Sequence, residues 1–139
     1  MIRAVVPALA AAVVLAAPSA KAAQLVSAPD AARLSETGEI ILVDIRRPQE
    51  WRESGVAEPA ATVSMHDEGF LEGLARLTGG RRDAPLAFIC ATGRRSSWVA
   101  QELEKRGYTN LINVREGMFG SSDGPGWLKR GLPVRKVER

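Results

Sequence analysis

The single cysteine of the chain, Cys90, ends the apolar run Leu86-Ala87-Phe88-Ile89 and opens the segment Ala91-Thr92-Gly93-Arg94-Arg95-Ser96. A continuous apolar run this short, closed by a polar turn, reads as a strand buried on both faces. A cysteine at its carboxyl end lies where open α/β sheets form their ligand crevices. Gly93 gives the loop a backbone conformation closed to other residues, so that several N–H groups can turn toward one point. That point is the cysteine sulfur. Oriented amides, the positive end of the helix that follows, and Arg94 or Arg95 would together favour a nucleophilic thiolate. Such a sulfur can attack the sulfane sulfur of a small anion such as thiosulfate, hold it as a persulfide, and yield it to a thiol or cyanide acceptor in a second step. Cys90 is therefore the expected nucleophile, with Ala91, Thr92, Gly93, Arg94, Arg95 and Ser96 as its substrate-binding loop. A lone cysteine can also be a small buried hydrophobe, and it is the strand–loop–helix setting that favours reactivity.

The other chemistry-bearing residues fit supporting roles. Asp44 and Arg46 end a second apolar run, Ile40-Ile41-Leu42-Val43, and are expected to tie loops together by an ion pair. His66, the only histidine, could form a Cys–His dyad in principle, but nothing in the spacing brings it to the loop. One cysteine and one histidine make no metal-ligand cluster, so neither a metal nor another cofactor is expected. Trp51, Trp98 and Trp127 read as core or crevice walls.

These residues need strands to present them and helices to cover the strands. Ser27, with Asp30 three residues on, starts a helix that ends near Gly38. Residues 39–45 form a buried strand, and Pro48 opens a helical turn that Gly55 stops. Residues 61–65 make a further strand. Phe70, Leu71, Leu74 and Leu77 recur at helical spacing up to Gly79-Gly80. After the cysteine loop a helix is expected over 97–106, with Trp98, Val99 and Leu103 on one side, and then the strand Leu111-Ile112-Asn113-Val114. Alternating strands and helices imply an α/β domain with a mainly parallel central sheet flanked by helices.

The amino terminus carries an address. Arg3 precedes an Ala/Val/Leu run, and Pro18, Ser19 and the pattern Ala20-Lys21-Ala22 follow it. That is the layout of a cleaved secretory signal peptide over residues 1–23, its run shorter than the roughly 20 residues of a spanning helix. An exported, periplasmic protein with no membrane association after cleavage is expected. Export sharpens the cysteine argument, since an exported protein usually pairs its cysteines and one cysteine cannot. Losing Arg3 and Lys21 takes the count from 19 basic against 16 acidic residues to 17 against 16. A nearly neutral mature chain, without a basic stripe, does not suit nucleic acid despite the whole-chain pI of about 9.5. The 45% hydrophobic content fits one ordinary domain.

Cys90-Ala91-Thr92-Gly93-Arg94-Arg95-Ser96 resembles the Cys-x-x-Gly-x-Arg-Ser loop of single-domain rhodaneses. Asp44-Ile45-Arg46, with Glu50-Trp51 downstream, is similar to that family's upstream Asp-x-Arg-x-x-x-Glu-aromatic signature. Gly107-Tyr108, Asn113-Val114, Glu116-Gly117 and 127–134 are similar to its closing segment. The similarity runs over residues 26–135 and implies a rhodanese-like three-layer sandwich, with a sulfurtransferase activity that uses a small sulfur-containing anion as donor and a thiol, cyanide or protein acceptor. By the family pattern, Arg95 is the more regular arginine, for anion binding or loop bracing. Two departures stand out: Val56 replaces the usual histidine of a Gly-His-Ile-Pro-Gly-Ala segment, and residues 118–126 are longer and richer in glycine, a candidate partner or substrate surface. Two other activities use related parts. One is a sulfur-carrier or binding module with little turnover; the other is a phosphatase or arsenate reductase, whose related loops have one more residue before the arginine than the four between Cys90 and Arg95.

Overall fold

The computed structural model describes residues 12–14 and 22–138, so most of the expected signal peptide lies outside the described residues. The chain runs β1 (Gln24–Val26), α1 (Ala28–Glu36), β2 (Ile41–Asp44), α2 (Pro48–Ser54), β3 (Val56–Ala57) and β4 (Ala61–Thr62). It continues through α3 (Phe70–Thr78), β5 (Leu86–Ile89), α4 (Arg94–Lys105), β6 (Leu111–Val114) and β7 (Val134–Arg135). Five strands form one sheet in the order β1-β6-β5-β2-β4, and every neighbouring pair is parallel. The cysteine-bearing strand is thus the central one. All four residues of β5 and all four of β6 are buried, as expected for central strands covered on both faces, the one polar residue among them being Asn113 of β6.

Alternation along the strands separates two apolar layers. Leu42, Ala87, Ile89, Ile112 and Val114 pack with Ala28, Ala31 and Ala32 of α1 and with Trp127. Val43, Leu86, Phe88 and Leu111 pack on the other side with Leu74 of α3 and with Val99, Ala100 and Leu103 of α4. The result is the three-layer α/β arrangement expected. The Ser27 cap is also as expected, its hydroxyl accepting from Asp30 N at 3.2 Å.

Four local features differ from the sequence reading. Helix α4 begins at Arg94, not Ser97, because Gly93 in the left-handed region (φ 86°) turns the chain directly into it. Ser96, Val99, Ala100 and Leu103, at helical spacing, form its buried stripe. Trp98 falls outside it and is 55% exposed, so it is not core, whereas Trp51 and Trp127 are buried. Strand β1 was unforeseen, since its three residues lie close to the tract read as a signal. The β3–β7 ladder, pairing Val56 with Arg135 and Ala57 with Val134, was also unforeseen. Two-residue strands carry no periodicity to read, and here the buried Val56 in place of the histidine packs within a ladder.

Asp44 and Arg46 are both fully buried and paired, with Arg46 Nη2 donating to Asp44 Oδ2 at 2.8 Å. Trp51 Nε1 donates to the same carboxylate at 3.1 Å, and Arg46 also reaches Ser54 Oγ and the Gly55 carbonyl, each at 2.9 Å. The pair therefore fastens the end of β2 to the middle and the carboxyl end of α2. Arg46→Met leaves a buried carboxylate without its cation and is expected to lower stability in urea unfolding by about 3–5 kcal/mol. Arg46→Lys is expected to recover little of it, because an ammonium cannot reproduce the fork.

Candidate active site

Cys90 is 1% exposed at the carboxyl end of the central strand. Its sulfur receives Gly93 N at 3.2 Å and Ser96 N at 3.4 Å, and lies 3.4 Å from Ser96 Oγ. The carbonyls of this loop are held elsewhere: Cys90 O accepts from Met118 N and Ala91 O from Phe119 N, both at 2.9 Å. With its first two carbonyls pinned to residues 118–119, the loop is free to turn amides toward the sulfur. The close approach needs glycine twice. A Cβ on Gly93 would collide with the Arg115 carbonyl, and one on Gly117 with the Ala91 carbonyl.

The two arginines part company. Arg95 donates from both terminal nitrogens to Glu50, at 2.7 and 2.8 Å, and so braces α4 against α2. Glu50 also accepts Arg47 N at 2.9 Å, closing the α2 amino terminus. The hydrogen bonds from Arg95 hold the Glu50 carboxyl at about 2, against burial that pushes it up and together with the Arg47 amide. Arg94 and Thr92 are exposed and line, with Gly93, Asn113, Arg115 and Asp123, an open cleft of about 870 Å³ on the β1–β6 side of the loop. Ala91 contributes through its backbone carbonyl alone among these bonds.

His66 makes no hydrogen bond with Cys90, so no Cys–His dyad is formed. It is an exposed rim residue, held below its ordinary value by partial desolvation and by the charges of Arg47 and Arg95, with Glu50 opposing. Phe119, 57% exposed beside the loop, sets its ring 6.0 Å from the Arg46 guanidinium carbon.

Several contributors escaped the sequence reading. Asn113 accepts the Ser96 hydroxyl hydrogen at 2.6 Å on Oδ1. A polar residue within the buried run of β6 was the available signal for it. Glu116, fully buried, accepts Ala28 N at 2.7 Å, and Gly126 N and Arg130 Nε at 2.8 Å. Burial opposes its charge, yet Arg130 and the two amides hold its carboxyl below the usual range. By residue type alone Glu116 reads as a surface glutamate, and the Glu116-Gly117 pair of the family resemblance was the available signal for it.

The model of the family "Rhodanese-like domain" matches residues 27–122. The chain belongs to the rhodanese-like domain family. A sulfurtransferase of Allochromatium vinosum is 29% identical over 102 residues, covering 73% of this chain and 84% of that one. Among solved structures, Rv0390 from M. tuberculosis is similar with a TM-score of 0.66 at 28% identity, covering 84% of this chain and 100% of that one. The polysulfide-sulfur transferase homodimer of Wolinella succinogenes gives a TM-score of 0.63 at 27% identity, covering 83% and 80%. The family match and these relatives support a sulfur-transfer family for this rhodanese-like chain.

The Glu50–Arg95 pair carries a pH signature. A carboxyl lowered from 4.5 to about 2 contributes stability that is complete above about pH 5 and is lost as the pH falls through 4.5 toward 2. Comparing urea unfolding of the wild type and Glu50→Gln at pH 7 and pH 3 is expected to show a deficit in the variant at pH 7, on the order of 1–2 kcal/mol after solvent screening, that narrows at pH 3.

Proposed function

We propose that this protein is a sulfurtransferase whose Cys90 takes a sulfane sulfur from thiosulfate or a persulfide donor and passes it to a thiol or cyanide. The observation that carries this reading is the convergence of Gly93 N and Ser96 N on the Cys90 sulfur. With thiosulfate, the thiolate attacks the outer sulfur, the S–S bond of the donor breaks, and sulfite leaves with the bonding pair. The Cys90 persulfide then carries its negative charge on the outer sulfur, within reach of the same fixed dipoles. An acceptor thiolate attacks that sulfur, and Cys90 departs as thiolate with the electron pair, ready for another cycle. Cyanide attacking in the same way yields thiocyanate.

The bracing of Arg95 by Glu50 argues against a phosphatase or arsenate reductase, which needs its loop arginine on a tetrahedral anion. A slower sulfur-carrier function draws support from the shielding of Cys90, 1% exposed, beside an apolar Phe119 that a protein acceptor could cover. The amino-terminal sequence supports an exported, periplasmic address for either activity.

Incubation of the protein with thiosulfate, followed by intact mass measurement, is expected to show a gain of one sulfur on the wild type and none on Cys90→Ser. Absence of an adduct with thiosulfate, polysulfide and small persulfides alike would remove the enzyme and the carrier readings together. If the adduct forms, steady-state turnover with cyanide separates them, being fast for the enzyme and negligible for the carrier. Gly93→Ala is expected to reduce adduct formation more than about tenfold, because the positive φ and the Arg115 carbonyl both refuse a Cβ.

A further inference from the structure

The cleft on the β1–β6 side of the loop plays no part in the mechanism above. Its lining includes Arg94, Arg115 and Asn113, but Cys90 is not among its lining residues. Arg94 is the first residue of the twelve-residue helix α4, whose positive end adds to its charge. Among the described residues Arg115 is engaged only by Asp123, at 4.0 Å with both side chains more than 40% exposed (43% and 47%), a contact too long and too wet to neutralise it. Asn113 is 4% exposed. Its Oδ1 takes the Ser96 hydroxyl, while its Nδ2 has no hydrogen-bond partner among the described residues and the side chain borders the cleft. No buried side-chain nitrogen or oxygen among the described residues lacks a partner, so this amide N–H pair opens onto the cleft, where with the two guanidinium groups it forms a donor set that lacks an acceptor.

We propose that this cleft is an oxyanion site, taking a small sulfur or phosphorus oxyanion on Arg94, Arg115 and Asn113 Nδ2, and that its occupancy lowers the reactivity of Cys90. The coupling runs through one hydrogen atom. The Ser96 hydroxyl has a single hydrogen, and Asn113 Oδ1 and the Cys90 sulfur compete for it at 2.6 and 3.4 Å. An anion accepting from Nδ2 fixes the amide with Oδ1 facing Ser96 and strengthens that oxygen as an acceptor. The hydroxyl hydrogen then stays on Asn113, and charge on the sulfur loses a donor. The negative charge of the anion acts in the same direction. If Cys90 works on thiosulfate, the natural occupant is the released sulfite, which makes the site a product sensor; this assignment of the occupant, and nothing else in the proposal, rests on the sulfur-transfer reading.

Inorganic sulfate is the probe, titrated against chloride at matched ionic strength, with the rate of Cys90 alkylation by neutral iodoacetamide as the readout. Alkylation requires no sulfur donor, so the outcome is independent of whether the persulfide experiment succeeds. In the wild type, sulfate is expected to slow alkylation saturably by about three- to tenfold, the range that one net hydrogen bond commands. Arg115→Gln, which changes a side chain already 43% exposed and should leave the fold intact, is expected to abolish the saturable slowing and the thermal stabilisation by sulfate. Two results would overturn the proposal: no difference between sulfate and chloride in the wild type, or equal slowing in Arg115→Gln, which would put the anion at the thiol itself. Thermal stabilisation without slowing would keep an anion site but overturn the coupling through Asn113 and Ser96.

Discussion

A strand-end loop can turn its amides inward only if its carbonyls find donors elsewhere, and the site of this protein depends on that constraint. The donors are Met118 N and Phe119 N, which hold the carbonyls of Cys90 and Ala91. They belong to the segment after β6, which lies beside β5 in the sheet. Parallel pairing of those two strands brings their carboxyl ends together and so lets one loop organise the other. Gly93 and Gly117 allow the two backbones to meet at distances that a Cβ would forbid. The nucleophile's surroundings are thus a consequence of sheet order before they are a property of any side chain.

Three carboxylates complete the frame at this edge of the molecule, and each binds more than one element. Asp44 joins β2 to α2 through Arg46 and Trp51. Glu50 joins α2 to α4 through Arg95. Glu116 joins the segment after β6 to α1 and to the stretch carrying Gly126 and Arg130. The buried charges among them are tolerated because every oxygen has donors, a condition under which removal of one partner costs far more than the pair contributes. Rigidity of the loop follows from this frame, and a preorganised set of amides is what a charged sulfur requires.

The parts that the sequence exposed are those with a local signature. The apolar runs at 40–43 and 86–89 and the mainly apolar run at 111–114 announced buried strands, and the Ser27 cap and Gly55 and Gly79 stops marked helix ends. The apolar strand ending on Cys90, followed by a glycine three residues later and a helix, was enough to single out the nucleophile. The start of α4 was misread by three residues because the polar pair Arg94-Arg95 looked like loop, while a left-handed Gly93 had already turned the chain. Trp98 faces solvent because helical spacing places it off the stripe of Ser96, Val99, Ala100 and Leu103.

Sequence alone determined which strands could be buried, where the cysteine would leave the sheet, and that a glycine would shape its loop, since each depends on residues adjacent in the chain. Tertiary structure alone decided that Arg95 braces Glu50 while Arg94 borders a cleft, that Asn113 competes for the Ser96 hydroxyl, and that residues 118–119 hold the loop carbonyls. Those partners are 17 to 45 positions apart for the side-chain pairs. Hydrogen bonds act over about 3 Å in space, and only the packed sheet says which distant residues come that close.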